Sequence, residues 1–304
     1  MRRAELALGL DVGGTSSRAL VRDRGGTVLG RGGAGGGNPN SHPPDQAALE
    51  VERAAAAALA GLDPAQVRSA VLGVAGASTM GDPGVAAPFD AVWARLGLDC
   101  RARVVTDCEV AFAAGTAEPT GTVLIAGTGA VAARIEQHRL AATTGGHGWL
   151  LGDEGSAFWL GREAVRTALR TLEGRAPRDD LTDRVLGELG AADRKSVLTA
   201  VNAAPPIRLA ELAPLVTSAA GAEVPSASDI VRRAAALLAD TAAATRRGSG
   251  PIVLAGSLVE AGNPVGRALR AALTEQFGVQ PVTAGPGADG AAWLAARALD
   301  SDPP

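Results

Sequence analysis

The chain has 304 residues, 46% hydrophobic and 20% charged, with a formal net charge of −3. That composition suits one large globular domain or two of moderate size, and with neither sign of charge in excess it carries no nucleic-acid or anionic-membrane footprint. Apolar runs such as "AAAAALA" from Ala54 fall well short of the roughly 20 residues that span a bilayer. The N-terminal "MRRAELALGLDVGG" has no small-residue cleavage site before its apolar stretch meets Asp11, so a cytoplasmic protein without a signal peptide is expected.

Read in chain order, apolar residues 6–10 form a strand, Gly13, Gly14 and Thr15 a tight turn, and 18–22 and 27–31 two further strands. "GGAGGGNPNSHPP" (32–44) reads as a flexible polar loop, followed by a helix over 45–62 with Asp45 as its N-cap. Strands follow at 69–76 and 102–108, and "GTAEPTG" near 115–121 breaks the pattern. Beyond it, 122–126, 130–135 and 140–144 repeat the opening meander. Sliding the first copy by 113 positions lays Gly14-Thr15 on Gly127-Thr128 without a gap. Then come a helix from Ser156, a helical stretch over 181–240 interrupted near Pro205-Pro206, a strand at 251–256, and helices over 263–278 and 287–299. Two meanders, each followed by alternating strands and helices, predict a duplicated α/β architecture. Its domains are expected at 1–117 and 118–304, with the closing helix a candidate to pack back on the first.

The chemistry-bearing residues lie in the turns. Glycines and hydroxyl residues after a strand ending in Asp let backbone amides reach a phosphate unobstructed, and the Asp can hold a hydrated Mg²⁺. A lone "DVGGT" is as readily a plain hairpin. The second turn, "IAGTGA", makes a pair that would clamp the phosphates of a nucleotide across a cleft. Asp107 in "VVTDCEVAF" reads either as a helix N-cap or as a general base at a strand end. Asn38, Asn40, Ser41 and His42 sit in a loop able to serve sugar hydroxyls if it overhangs the cleft, because an amide offers both donor and acceptor. Gly256, in "LAGSLVEAG", would leave a flat surface for an adenine ring or simply make a close strand–helix turn. "GDEGSAFWLG" (152–161) puts Asp153 and Glu154 at a helix start, where carboxylates suit the helix dipole.

Other residues are read as inert. Cys100 and Cys108 are too few and wrongly spaced for a zinc cage or disulfide framework. His42, His138 and His147 form no metal motif. Lys195 is the only lysine and no GxxxxGKS/T occurs, which disfavours a P-loop.

In this order, "DVGGT", "TDCEVAF", "AGTGA", "GGHGWLLGDEGSAFWLGREAV" and "LAGSLVEAG" resemble the sugar kinases of the actin-like ATPase superfamily, most closely the N-acetylglucosamine kinase group with the BadF/BadG-type ATPases. The resemblance spans nearly the whole chain, and "GWLLGDEGSAFWLG" is its most specific part. It implies two actin-like (ribonuclease H-like) domains, each a mixed sheet with flanking helices, around an ATP and sugar cleft. It further implies that Asp11 helps to hold Mg²⁺ through water, with Gly13, Gly14, Thr15, Gly127 and Thr128 at the phosphates and Gly256 beside the adenosine. Asp107 would be the base for the sugar 6-hydroxyl. Asn38, Gly146 and Asp153 would contact sugar hydroxyls, Thr128 would stand at the sugar–phosphate junction, and Ala157 near the 2-substituent. The implied partners are ATP and a small amino sugar, with a homodimer as the commonest assembly.

Two departures touch the pocket's edge: "GGHGW" stands where the family often has "GGWGH", exchanging His147 and Trp149, and Ala130 stands where Ser is frequent. The CxCGxxGC cluster of the repressor/ORF/kinase branch is absent. Two other functions compete. A BadF-type activator would share an iron–sulfur cluster between protomers, but Cys108 directly follows the proposed base and Cys100 lies eight residues upstream, a poor place for one. A sugar-sensing regulator needs a DNA-binding unit, and only five residues precede the first strand at Leu6.

Overall fold

The computed structural model describes residues 5–301. The chain opens with β1 (Leu6–Val12), β2 (Ser17–Asp23) and β3 (Val28–Ala34), an antiparallel meander in which Asp11 pairs with Arg18 and Ser17 with Ala34. Next come α1 (Pro44–Ala58), β4 (Val67–Val74), α2 (Pro83–Arg95), β5 (Ala102–Thr106) and α3 (Asp107–Gly115). The second meander is β6 (Gly121–Ala126), β7 (Ala130–Glu136) and β8 (Arg139–Gly145). Helices α4 (Gly148–Leu151), α5 (Ala157–Leu172), α6 (Asp180–Glu188), α7 (Arg194–Asn202), α8 (Ala213–Gly221) and α9 (Pro225–Thr245) follow. The chain closes with β9 (Ile252–Ala255), α10 (Pro264–Phe277), β10 (Val282–Thr283) and α11 (Gly287–Ser301).

The two sheets have orders β3-β2-β1-β4-β5 and β8-β7-β6-β9-β10. The central strand of each pairs in parallel with a later one, β1 with β4 and β6 with β9, and the fifth strand extends that parallel side. The duplication read from the meanders therefore continues through the later strands. The chain divides into two compact units. One runs to Pro119 and takes in Ile135–Leu140 and the segment from Ala284 onward; the other holds Thr120–Arg134 and Ala141–Thr283.

In the first unit, β1 is sorted by its own alternation. Leu6, Leu8, Leu10 and Val12 join Val51, Ala54 and Ala55 of α1 and Phe89 and Val92 of α2 in one apolar cluster. The opposite face carries only Ala7 and Gly9 before Asp11. Small residues there let α11 come so close that a Cβ at Gly9 would lie 2.0 Å from the Ala292 nitrogen. In the second unit, α5 buries Trp159, Leu160, Ala164 and Ala168 in a core with Leu181, Ile230, Leu238, Leu254 and Leu269. No helix among the described residues is long and apolar enough to cross a membrane.

The structure corrects several boundaries. The helix expected to reach residue 62 ends at Ala58, capped at Leu59, and the strand expected to reach 108 stops at Thr106. The stretch 181–240 resolves into α6 to α9 with a 3-10 segment Pro206–Leu212 at the proline pair. Helix α2 falls where none was expected. Pro83 occupies the first turn, where its missing donor costs nothing, and the Asp82 side chain caps the Gly84 amide.

Candidate active site

In the first unit the parallel strands β1, β4 and β5 align Asp11 with Gly73 and Val105, one residue short of Val12, Val74 and Thr106. Their carboxyl ends are where α/β sheets present ligand-binding groups, and Asp11 and Asp107 both emerge there. Asp107 is the first residue of α3 but not its cap. Thr106 accepts the Glu109 amide through Oγ1 (3.2 Å), and Glu109 accepts the Thr106 amide (2.7 Å), a complete capping box. The N-cap reading of Asp107 is thereby replaced: Thr106 and Glu109 take the helix end, and the Asp107 carboxylate accepts hydrogen bonds from its neighbour Cys108, the amide at 2.9 Å and the thiol beside it. Burial pushes the Asp107 carboxyl above its ordinary range, and the Glu109 charge adds to the rise. Burial does the same to Asp11, with the Asp107 charge next in weight and Arg18 opposing both. Two partly buried carboxylates that repel one another invite a cation.

The first glycine turn is held by its carbonyls. Gly13 N–H donates to Ser16 O (2.9 Å), Gly37 and Asn38 N–H both donate to Gly13 O (3.2 Å), and His42 Nε2 lies 2.6 Å from Gly14 O. The Gly14 and Thr15 amides have no protein acceptor among the described residues. The loop that supplies these ties is not a flexible linker. A Cβ at Gly36 would meet Gly14 O at 2.1 Å and one at Gly37 would meet Ser17 Oγ at 2.6 Å, so the glycine run is what lets the loop lie on the turn. Within it Asn38 is buried; its Nδ2 donates to Ala75 O (3.2 Å) and its Oδ1 accepts Asn40 N–H (2.8 Å).

The second unit gathers its own candidates around Gly127–Ala130. Gly127 N–H donates to Gly129 O (2.9 Å), and Gly146 N–H donates to Ala130 O (2.9 Å). Asp153 Oδ1 accepts Ala130 N–H at 3.1 Å. Ala157 and Phe158, in the first turn of α5, donate to Gly127 O (2.8 Å) and Thr128 O (3.2 Å). These two donors are among those a helix start leaves without intrahelical partners; Ser156 Oγ caps another, Trp159 N–H, at 3.2 Å. Glu154 neither caps the helix nor touches Asp153, and lies 3.7 Å from Arg162. The Thr128 and Gly129 amides lack a protein acceptor among the described residues. Beside them lies a cavity of about 400 Å³ lined by Gly127, Thr128, Ala157, Thr217, Ser257 and Asn263, among others. Gly256 is at φ +98° and packs against β6, since a Cβ there would sit 2.2 Å from Ala126 O. The residues just after it, Ser257 and Leu258, reach the cavity wall.

Each unit thus brings its own sequence-derived candidates together: Asp11, Gly13, Gly14, Thr15, Asn38 and Asp107 in the first, and Gly127, Thr128, Gly146, Asp153, Ala157 and Gly256 in the second. Sequence reading missed Arg18 and the tie from His42. Arg18 was findable, because the hairpin register places it opposite Asp11; His42 was not, since its contact depends on how the glycine run folds back. No cluster of three or more metal-ligating side chains occurs among the described residues, and Trp149 packs on Phe158 with ring centroids 5.6 Å apart.

Residues 8–295 match the model of the BadF/BadG/BcrA/BcrD ATPase family. An N-acetylmuramic acid/N-acetylglucosamine kinase of Clostridium acetobutylicum is 30% identical over 115 residues, 38% of this chain and 37% of the relative. The match to that curated relative therefore spans little more than a third of its length. Among solved structures, a Chromobacterium violaceum protein provisionally described as an N-acetylglucosamine kinase superposes with a TM-score of 0.77 at 27% identity, covering 97% of this chain and 99% of that one. A glucokinase of the ROK family from Streptomyces griseus, solved with glucose and AMPPNP, shares the fold at a TM-score of 0.60 and 21% identity, over 97% and 100% of the two chains.

Proposed function

The chain belongs to the BadF/BadG/BcrA/BcrD ATPase family, and from that premise we propose that it is an ATP-dependent amino-sugar kinase. It transfers the γ-phosphoryl group of ATP to the 6-hydroxyl of N-acetylglucosamine or a close relative such as glucosamine. The observation that carries this reading is Asp107, a carboxylate at a strand–helix junction, relieved of capping by Thr106 and Glu109 and made more basic by burial.

In this mechanism the Asp107 carboxylate accepts the proton of the sugar 6-hydroxyl as that oxygen attacks the γ-phosphorus. The bond from the γ-phosphorus to the β,γ-bridging oxygen breaks, and ADP leaves with the electron pair. The amides of Gly14, Thr15, Thr128 and Gly129 are preset donors for phosphate oxygens and need no reorganisation as charge shifts. Thr128 offers a hydroxyl at the junction of sugar and phosphate, and Asn38, Gly146, Asp153 and Ala157 line the sugar. The cavity beside Ser257 and Asn263 takes the adenosine. Asp11, a partly buried carboxylate beside the Asp107 charge, fits a hydrated Mg²⁺, an ion that takes one or two carboxylates and lets substrate phosphates complete its shell; when bound, the ion would neutralise phosphate charge. The cysteines do not favour an iron–sulfur activator: Cys108 is buried directly behind the proposed base and Cys100 lies eight residues upstream, a poor place for a cluster shared between protomers.

A screen of ADP release over N-acetylglucosamine, glucosamine, N-acetylmannosamine, N-acetylmuramic acid and glucose tests the proposal. Sugar-dependent turnover, strongest with an amino sugar, is expected. ADP release that no sugar on the panel alters would overturn it.

A further inference from the structure

Asp153 is one of four non-glycine residues at positive φ among the described residues, at +56°. That left-handed conformation is disfavoured for an L-residue, although Asp tolerates it better than most. The surroundings over-determine it. The Asp153 carbonyl accepts Ser156 N–H (3.1 Å), the side chain is buried, and Gly155, at φ +80°, is wedged against Ala234 O and Leu238 of α9. The strain brings the carboxylate beneath the second glycine turn. Oδ1 accepts Ala130 N–H, and a Cβ built on Gly129 would lie 2.9 Å from Oδ1 and 2.8 Å from Oδ2. With Ala157 and Phe158 holding the Gly127 and Thr128 carbonyls, residues 153–158 grip the turn from below. Only the Thr128 and Gly129 amides remain for a ligand.

We propose that Asp153 is the positioning residue of this phosphate turn as well as a sugar contact, so that one carboxylate links sugar occupancy to the grip on the nucleotide. The inference rests on the kinase reading. A carboxylate has acceptor sites on both oxygens. Oδ1 is committed to the Ala130 amide, and Oδ2 is the atom left for a sugar hydroxyl. A hydroxyl donating to Oδ2 fixes the carboxylate against Gly129, and hence the two amides beside it.

Three variants of the full chain separate this from a purely structural role, with melting temperatures as the check on folding. Asp153→Asn keeps an acceptor for Ala130 and tolerates the left-handed backbone. It should raise the KM for the sugar about tenfold and leave the KM for ATP within about twofold. Asp153→Gly keeps the backbone but removes the latch, and should raise both constants about tenfold and lower kcat. Gly129→Ala offers the sugar no new group, yet its Cβ displaces the carboxylate, so the sugar KM should rise severalfold. Direct binding of a non-hydrolysable ATP analogue to Asp153→Gly and Asp153→Asn, without sugar, reads the grip independently of turnover; the glycine variant should bind more weakly. A folded Asp153→Gly that binds the analogue like the asparagine variant would overturn the proposal. Absence of sugar-dependent turnover in the unmutated chain would instead overturn the kinase reading.

Discussion

The two glycine turns solve one problem with different materials. In the first unit the carbonyls of Gly13 and Gly14 are held by a glycine-rich loop and His42; in the second those of Gly127 and Thr128 are held by the start of α5. Both arrangements tie the carbonyls down and leave neighbouring amides without acceptors among the described residues. The sheets beneath have the same strand order, but the chemistry is divided unequally. The first unit carries the paired carboxylates Asp11 and Asp107, and the second a cavity of about 400 Å³ and the buried Asp153. A duplicated scaffold has kept its turn geometry in both copies, with the paired carboxylates in one and the cavity in the other.

The division breaks most visibly at Asp107. Asp107→Asn should lower kcat by about 10²- to 10⁴-fold, the range of general-base catalysis, while sugar affinity measured by calorimetry stays nearly unchanged. The same substitution should stabilise the fold at neutral pH. The folded-state pKa of Asp107 lies above its unfolded value, so the folded state binds the proton more tightly. Stability is then greatest below the ordinary carboxylate range and falls as pH rises through the raised value. Thermal melts should show the variant's advantage at pH 7 shrinking as pH falls toward about 4. In kcat/KM the acid limb should lie above the pH of an ordinary aspartate. A variant no more stable than the parent at pH 7 would place the carboxylate in a more solvated setting.

A second test concerns what the first unit needs in order to fold. Gly9→Ala drives a Cβ to within 2.0 Å of the Ala292 backbone nitrogen on α11. Neither atom belongs to a flexible side chain, so a loss of about 3 kcal/mol or more is expected in denaturant unfolding. Smaller effects should come from the turn supports. His42→Ala removes the Nε2 contact to Gly14 O and should raise the KM for ATP about three- to tenfold while sparing the sugar KM, since one hydrogen bond is worth about 0.5–1.5 kcal/mol. Ser156→Ala removes the cap on α5 and should cost about 1 kcal/mol in stability. If His42→Ala shifted neither constant, the likeness between the two turns would be geometric only.

Much of the fold was legible because its signals are local. Period-two apolar residues broken by Gly-Thr turns mark both meanders, and the matched spacing exposes the duplication. Helix α2 was not legible. Its sequence, "PGVAAPFDAVWAR", opens on Pro-Gly and carries Pro88 inside, and the helix is set by the Asp82 cap and by burial of Phe89, Val92 and Trp93. The candidate site divides similarly. Asp11, Asp107 and the glycine turns announce themselves in contiguous motifs. The reach of Asp153 to Ala130 does not, because it depends on a left-handed residue meeting a turn 23 positions earlier. The glycines at 36 and 37 misled in an instructive way. Glycine-rich composition reads as flexibility, whereas here it permits close packing.

The central claim is that a sugar hydroxyl, not water, receives the phosphoryl group. Incubating the protein with ATP, Mg²⁺ and N-acetylglucosamine and following the products by NMR measures that directly. One sugar 6-phosphate should form for each ADP, with Asp107→Asn forming neither while still binding the sugar. ADP accumulating without any phosphorylated sugar would contradict the account and leave an ATPase in its place.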